Sequence, residues 1–176
     1  MTCELGIAQL AWLAGIIDGE GCITAGAYRV NLARADGSTR YRLSLFVSVT
    51  NTNEDIILTA NELFERLAGV KPILHMHTSK SRKEQHRTHK VCWRTHVSGG
   101  PAVSKVLQAV LPYLVGKRRQ AELLIAVIGH RQQVCETTGR KHKDCRVETD
   151  AWLRAQLATI RSLNQRGPLK ELRSFT

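Results

Sequence analysis

Aromatic residues are scarce in this sequence, where they make up 5% of 176 positions. So few rings disfavour a protein that binds single-stranded nucleic acid by stacking many bases on aromatic side chains. Long apolar runs are also missing, because none reaches the roughly 18–20 residues needed to cross a bilayer. We therefore expect neither a membrane span nor a membrane partner.

Paired cysteines are absent as well. The five cysteines are an odd number and contain no C-x-x-C pair, a pattern typical of reduced thiols in an intracellular protein. The first residues, Met-Thr-Cys-Glu, lack the basic start of a secretory signal. We therefore expect an intracellular location.

Acidic residues are outnumbered by basic ones. The 26 lysines and arginines stand against 15 aspartates and glutamates, which gives a formal net charge of +11 and favours a polyanionic partner. The 43% hydrophobic content excludes a disordered basic tail and suits one domain over residues 1–176. These features together indicate a soluble, intracellular nucleic-acid-binding protein.

An almost entirely apolar segment begins near Gly6 and ends at Ile17. A helix that is apolar all round has no solvent face, so we expect it to be buried in protein. Small residues recur along it at three- and four-residue spacing, which allows two backbones to approach closely: Ala8, Ala11, Gly15 and Gly19. The segment ends with two carboxylates, Asp18 and Glu20. These features predict a helix interface that also holds a metal.

The nine residues Leu13 to Gly21, Leu-Ala-Gly-Ile-Ile-Asp-Gly-Glu-Gly, resemble the signature of LAGLIDADG homing endonucleases. They differ from it by Ile for Leu, Gly for Ala and Glu for Asp. In that family two motif helices pack together, and the second acidic residue binds the divalent cation. The resemblance implies that Glu20 and the Gly19 carbonyl bind Mg²⁺, with Mn²⁺ or Ca²⁺ able to occupy the same sites. Asp18 is then structural.

The resemblance also implies how two chains associate. Only one motif is present, so the chain belongs with the single-motif branch and pairs with itself as a twofold homodimer. Such a dimer brings two Glu20 residues to its centre. The residues implied at the interface are Ala8, Ala11, Trp12, Gly15 and Gly19.

Hydrophobic periodicity predicts the remaining elements. Strands are expected at 22–34 and 40–50, joined by an Asp36-Gly37 turn, and two shorter strands at 72–79 and 91–98. Helices are expected after the Asn51–Asp55 capping segment, from Pro101, at 117–133 and around 152–163. Segments 80–90 and 135–146 are basic and polar and are predicted to be loops. The resulting α-β-β-α-β-β-α order is that of the α+β LAGLIDADG fold, with a saddle-shaped antiparallel sheet and extra C-terminal helices.

Further catalytic residues follow from local similarity. The segment 112–121 resembles the family's Pro-aromatic-Leu…Lys-x-x-Gln-Ala run, in which a lysine projects into the active site. This implies a catalytic Lys117 with Gln120 nearby. Asn51 occupies the position of a family residue that holds the water network, although a plain helix cap explains Asn51 equally well. Lys117 has the alternative of an ordinary solvated cation.

A two-stranded ribbon fits the major groove, so polar side chains on the outer face of the sheet are candidates to contact bases. Residues on the first hairpin, the second hairpin and the basic segments form the predicted DNA-binding set: Thr24, Tyr28, Arg29, Asn31, Arg34, Arg40, Arg42, Ser44, Ser48, His75, His77, Lys83, Arg94, His96 and Arg118. The direction of Arg29, Asn31 and Arg34 is left open, because the alternation becomes unclear after Tyr28.

Other functions compete with this interpretation. His130, Cys135, His142 and Cys145 form a possible zinc site, but their spacing matches no regular finger. The histidines between 75 and 96 would also suit an HNH-type nuclease, but that function leaves the opening helix without a role. An RNA-binding intron maturase, or a DNA-binding protein of the same fold that does not cleave, stays open.

The prediction is a Mg²⁺-dependent endonuclease located with its host genome. By resemblance, it cuts a long pseudo-palindromic site in double-stranded DNA, leaves 3′ overhangs and promotes the mobility of its intron. Intron RNA is a possible second partner.

Overall fold

The structure, a computed structural model, describes residues 5–30, 40–77, 91–138 and 150–165. Its elements in chain order are α1 (Ile7–Glu20), β1 (Gly21–Val30), β2 (Arg40–Asn51), α2 (Glu54–Ala68), β3 (Ile73–His77), β4 (Cys92–Ser98), α3 (Gly100–Val110), a 3₁₀ turn (Leu111–Tyr113), α4 (Arg118–Thr138) and α5 (Ala151–Leu163). The predicted order of helices and strands is confirmed. The predicted Asp36-Gly37 turn and the basic segment 80–90 lie outside the described residues.

The predicted loop beginning at Cys135 is wrong in its first part, because α4 continues to Thr138. The hydroxyl groups of Thr137 and Thr138 donate to carbonyl oxygens one turn earlier. Because these bonds lie within the helix, the polar side chains do not need a loop to find hydrogen-bond partners. No helix within the described ranges is long and apolar enough to span a membrane.

The four strands form one antiparallel sheet in the order β1-β2-β4-β3. On β2, Leu45, Val47 and Val49 are buried, and the residues between them face the opposite side. This confirms the predicted alternation. We call the side that carries Arg42, Ser44 and Phe46 the outer face, and the side that packs on the helices the inner face.

The helices cover the inner face and enclose a single core. Strand residues such as Ile23, Val47 and Val97 meet apolar faces of all five helices there. One buried polar side chain, Thr95, donates its hydroxyl to Asn61 of α2 at 2.8 Å, so β4 and α2 are joined without an unsatisfied hydroxyl at that point. Because the helices lie on one side of the sheet, its outer face is left for a ligand.

Several helix ends follow local capping rules. Asn53 accepts a hydrogen bond from the Asp55 N–H at 3.0 Å, and Gly69 ends α2 with φ +69, a left-handed conformation that glycine adopts without strain. Pro101 lies in the first turn of α3 as predicted, where its missing N–H costs nothing.

Helix α1 passes into β1 without a loop, and Gly21 makes this possible. A Cβ atom at Gly21 would lie 2.6 Å from the Ile17 carbonyl oxygen and 2.7 Å from its Cα. Both are backbone atoms and cannot move aside. The glycine is therefore required by close approach of the backbone rather than by an unusual φ.

We expect Gly21→Ala to lower the free energy of unfolding by about 1–3 kcal/mol, the usual penalty for forcing an extra carbon into a packed site. Urea denaturation of the variant measures it. Gly26→Ala is the matched control, since it lies in the same strand and its added Cβ meets no atom within 4 Å. Equal stability of the two variants would contradict the steric argument.

Helix α5 is fixed at both ends. Asp150 caps its N-terminus by accepting from the Leu153 N–H at 2.8 Å and also contacts His130 Nε2 of α4 at 2.7 Å. At the other end, the Asn164 side-chain amide donates to the Ile23 carbonyl at 2.8 Å, which joins α5 to β1. Partial burial opposes ionisation of Asp150, but the bonds from Leu153 and His130 outweigh it and hold its pKa below 3.8.

Because the folded state lowers the pKa of Asp150, its ionised carboxylate stabilises the fold at pH values well above 3.8. This contribution is lost as the pH falls through the lower, folded-state value. Asparagine is also a good N-cap, so Asp150→Asn removes mainly the charge. In urea unfolding, the stability difference between wild type and Asp150→Asn should shrink from pH 6 to pH 3. A difference independent of pH would contradict this assignment.

Candidate active site and nucleic-acid interface

The tip of α1 presents the carboxylate that the sequence predicts as a metal ligand. Glu20 is the last residue of α1 and is exposed, and among the described residues its side chain makes no hydrogen bond or ion pair. The helix ends here, so the Gly19 carbonyl lacks an intrahelical partner. A carboxylate beside a carbonyl oxygen offers the hard oxygen ligands that Mg²⁺ and Ca²⁺ take. The predicted metal ligands therefore fit a divalent cation.

Asp18 has a different role, and the structure shows why. Its carboxylate accepts three backbone N–H groups, from Val115 at 2.7 Å, Gly116 at 3.1 Å and Lys117 at 2.8 Å. These residues form the turn that precedes α4. Asp18 thus ties the end of α1 to a segment almost 100 positions away in the chain, in keeping with its predicted structural role.

The same turn places Lys117 at the tip of α1. Its amine donates to the Asp18 carbonyl oxygen, two residues before Glu20. A cation at the C-terminal end of a helix is favourable, because the last carbonyls carry partial negative charge. The fold therefore brings Lys117 to the end of α1 that carries Glu20, and its catalytic role stays a prediction.

We expect Asp18→Asn to lower the free energy of unfolding by about 1–3 kcal/mol, because an amide NH₂ group would face backbone donors that now meet a carboxylate. Thermal and urea unfolding measure the loss. Asp55→Asn is a matched control, since Asp55 is an exposed carboxylate in the first turn of α2 and its replacement should cost well under about 1 kcal/mol. An unchanged stability for Asp18→Asn would show that the three hydrogen bonds to Asp18 do not stabilise the fold.

Asn51 lies at the same end of the sheet as Glu20. Gly21 pairs with Val49, so the last residues of β2 extend past the start of β1 beside the tip of α1. The Asn51 side-chain oxygen accepts the Asn53 N–H at 2.8 Å, whereas Asn53 itself caps α2. Asn51 therefore organises the turn before α2, and its position still allows a role near the active site.

Gln120 is not placed as predicted. Its side chain is buried, and its amide donates to the Leu163 carbonyl at the end of α5, at a long 3.5 Å. A group used to hold α5 is not available to substrate. The assignment of Gln120 as catalytic is therefore corrected to a structural link between α4 and α5.

Most of the predicted DNA-binding side chains in the described strands share the outer face. The register pairs Tyr28 with Arg42 and His75 with Arg94, and the alternation places the following on that face: Thr24, Tyr28, Arg42, Ser44, Ser48, His75, Arg94 and His96. Arg40 lies in β2 opposite Val30, and His77 lies in β3 opposite Cys92. Asn31, Arg34 and Lys83 lie outside the described residues.

Two of the predicted contacts are corrected by their position. Arg29 pairs with Tyr41 and shares the parity of Ala27, so it lies on the inner side of the sheet rather than on the outer face. Ser48 has the right parity but is 2% exposed. It cannot reach a base, and its hydroxyl instead accepts Nη2 of Arg94 at 3.3 Å.

Phe46 was not predicted to have a role, although it was the one aromatic residue among the polar outer positions of β2. The Arg94 guanidinium lies over its ring, 5.3 Å from the centroid, and His96 meets the ring edge-on at 6.1 Å. His75 stacks on His96 with centroids 5.6 Å apart. Burial first, and then the charges of Arg94 and His75, lower the pKa of His96 below 6.5. We call Phe46, Ser48, His75, Arg94 and His96 the central cluster.

Arg118 begins α4 and is exposed. Its guanidinium forms an ion pair with Glu122 at 3.1 Å, one turn along the helix. An exposed pair of this kind contributes little to stability, so a phosphate can compete for the arginine. The predicted backbone contact from Arg118 is compatible with this geometry.

One face of α1 is covered within the chain and the other is not. Leu13, Ala14 and Ile17 are fully buried, whereas the predicted dimer residues are all exposed: Ala8, Ala11, Trp12, Gly15 and Gly19. A Cβ added at Gly15 or Gly19 would meet nothing within 4 Å. Burial of α1 on every side is thus not achieved by one chain, and an open strip of small residues flanks Glu20.

The alternative zinc site receives no support from the residues that the structure describes. Among the described positions, no three metal-ligating side chains come together. His130 Nε2 already contacts Asp150, and its ring also packs on Trp152 with centroids 4.4 Å apart. His142 and Cys145 lie outside the described residues.

Comparison with known proteins agrees with this geometry. No family model matches the chain. It is 31% identical over 122 residues to the DNA endonuclease I-CvuI of Chlorella vulgaris, a match that spans 68% of this chain and 63% of that protein. The match therefore covers less than two thirds of the length of the curated relative.

The fold is shared with solved homing endonucleases. The structure of I-CvuI with an I-CreI target and Mg²⁺, in which the DNA is not cleaved, superposes with a TM-score of 0.59 at 21% identity, covering 93% of this chain and 86% of that one. I-SmaMI, a LAGLIDADG homing endonuclease bound to cleaved DNA, gives 0.56 at 13% identity and covers 96% of this chain and 46% of its own. The chain belongs to the LAGLIDADG homing endonuclease family. Within the family, I-CvuI is a curated relative that it resembles.

Proposed function

We propose that this chain is a homodimeric, site-specific homing endonuclease that makes Mg²⁺-dependent double-strand breaks in DNA. The observation that carries the proposal is the exposed Glu20 carboxylate at the tip of α1, next to the open strip of that helix. The Lys117 amine bonds to the Asp18 carbonyl at the same tip, two residues before Glu20. The similarity to a DNA endonuclease supports the same substrate.

Each residue at the tip of α1 has a chemical task in this proposal. Glu20 and the Gly19 carbonyl hold the divalent cation, and Asp18 keeps Lys117 within reach of the phosphate. Bound Mg²⁺ would supply charge stabilisation on the phosphate and an activated water. The Lys117 amine would add positive charge where negative charge develops in the transition state. Asn51, at the same end of the sheet, is placed to orient water.

Two chains are needed to assemble the full site. One chain offers one Glu20, and cutting both strands requires a carboxylate near each scissile phosphate. Packing the open strips of two α1 helices about a twofold axis would bring the two Glu20 residues together. A twofold protein then favours a pseudo-palindromic target, and cuts across the minor groove would leave 3′ overhangs.

The outer face of the sheet would bind the DNA. A net charge of +11 provides attraction to the phosphates, and affinity should fall steeply with salt because binding releases counterions. In this proposal Tyr28, Arg42 and Arg94 would contact base edges in the major groove, and Arg118 would contact the backbone.

The test begins with selection of bound duplexes from a randomised DNA library in Ca²⁺, which favours binding over cleavage. The selected duplex is then incubated with Mg²⁺, and the ends are sequenced. The proposal expects cuts in both strands with 3′ overhangs, and it expects an intronless copy of the gene that surrounds the coding sequence to be cut. Blunt ends or single-strand nicks would contradict the dimeric arrangement.

A maturase that binds intron RNA is the second candidate, because a basic outer face suits either nucleic acid. It would be favoured if the protein bound the flanking intron RNA tightly and failed to cut any selected duplex. We further propose that the protein acts where its host genome lies and promotes the mobility of its intron.

A further inference from the structure

We propose that His96 reads a base edge as a neutral hydrogen-bond donor, and that Ser48 and Phe46 are positioning residues that hold Arg94 ready to read the neighbouring base pair. This inference rests on the proposed DNA-binding function and deepens it. It assigns sequence discrimination to the middle of the sheet, where the central cluster lies.

The Arg94 side chain is fixed before any ligand arrives. Phe46 supports one face of the guanidinium, and Ser48 Oγ accepts Nη2 at 3.3 Å. The Nε atom is buried and has no hydrogen-bond partner among the described residues. Only the far end of the guanidinium is therefore available to a ligand. An arginine already held in place loses less rotamer entropy on binding a guanine edge.

The His96 ring packs against two other rings. It meets the Phe46 ring in a T-shaped contact and stacks on the ring of His75. Its Nδ1 is buried and unpartnered, and an unpaired buried acceptor is tolerated better than an unpaired N–H. The proton of the neutral ring therefore belongs on Nε2. His96 then offers a single donor, which suits an acceptor such as purine N7, guanine O6 or thymine O4.

A phosphate contact is disfavoured at His96. Such a contact gains most from a protonated imidazole, but burial and the neighbouring Arg94 and His75 oppose that charge and lower the pKa of His96. The positive charge that phosphates require is available from exposed arginines such as Arg118 and Arg119. The central cluster is thus suited to discriminate between bases rather than to supply general affinity.

The experiment compares wild type with His96→Ala and Ser48→Ala by selection from randomised duplex DNA in Ca²⁺ at neutral pH. We expect His96→Ala to lose discrimination at one base pair of each half-site by about tenfold or more. Its affinity for random-sequence duplex should stay within about twofold of wild type. The slope of affinity against salt should also be unchanged, because no phosphate contact is removed.

Ser48→Ala should weaken discrimination at the base pair next to that one, while the charge of the protein is unchanged. Ser104→Ala, a half-buried serine of α3 on the helical side of the sheet, is the matched control and should keep the wild-type preference. Thermal unfolding checks that each variant is folded. If His96→Ala does not fold, Ser48→Ala still tests the inference.

The outcomes separate this inference from the proposed function. If His96→Ala weakens binding to all sequences equally and lowers the salt slope by about one, His96 contacts phosphate and the inference is wrong. Unchanged preferences in both variants would also overturn it. If wild type itself selects no sequence, it is the site-specific function that fails.

Discussion

Replacing Glu20 with glutamine should abolish DNA cleavage and leave DNA binding intact. The change removes the charge of the exposed carboxylate at the tip of α1 but keeps its length and its helix. A cation that supplies several kcal/mol of charge stabilisation is then no longer held, so the cleavage rate should fall by roughly three orders of magnitude or more. Binding should change by less than about twofold, because Glu20 lies at the end of the sheet and not on its outer face.

The rate is measured on the selected duplex in Mg²⁺, and the affinity by gel shift in the presence of EDTA. Glu20→Asp is the second variant to compare, because it restores the residue of the family signature and should keep substantial cleavage activity. Glu136→Gln, a change at another exposed glutamate on α4, controls for the loss of one negative charge. Cleavage by Glu20→Gln at the wild-type rate would mean that the metal is held elsewhere.

Replacing Gly15 with leucine should separate the proposed dimer into folded monomers that do not cut both strands. Within one chain, a Cβ at Gly15 meets no atom within 4 Å, so the side chain points into open space and the monomer should keep its stability. At a twofold helix contact the same side chain occurs twice. With about 1–3 kcal/mol for each overpacked site, dimer dissociation should be favoured roughly 30-fold to 10⁴-fold.

Sedimentation equilibrium measures the association, and thermal unfolding measures the fold. Gly129→Leu is a close control, because Gly129 is an exposed helical glycine on α4 whose added Cβ also meets nothing within 4 Å. It should remain dimeric and active. A Gly15→Leu protein that stays dimeric would show that the open strip of α1 is not the interface.

Two acidic residues only two positions apart have different roles. The Asp18 carboxylate accepts hydrogen bonds from three backbone N–H groups, whereas the Glu20 side chain has no partner among the described residues. A carboxylate that is already fully hydrogen-bonded makes a poor site for an incoming cation, and one left open makes a good site. The difference between them arises from the turn at 115–117 and not from the motif alone.

Much of the fold was predictable because it depends on neighbours in the chain. The alternation of β2, the cap at Asn53 and the glycine that ends α2 each follow from backbone geometry over a few residues. The extension of α4 past Cys135 was missed for the same reason, since a polar composition hides a helix that continues by hydrogen bonds to its own backbone.

The candidate site was only partly predictable. Glu20 and Lys117 followed from the family motif and from local similarity, and the fold brings them to the same helix tip. Gln120 did not belong with them, because residues adjacent in sequence point in different directions around a helix. The face of α4 that carries Gln120 packs on α5, and nothing in the local sequence indicates where α5 lies.

By itself, the sequence determined the class of nucleic-acid-binding protein, the order of helices and strands, the family motif and the carboxylate proposed to hold a metal. These depend on composition and on spacings of two to four residues. Only the tertiary structure decided that Asp18 holds the turn before α4, that Ser48 supports Arg94 beneath the surface and that Arg29 lies on the inner side. The physical reason is that burial and hydrogen-bond partners are set by segments tens of residues apart, which come together only when the core packs.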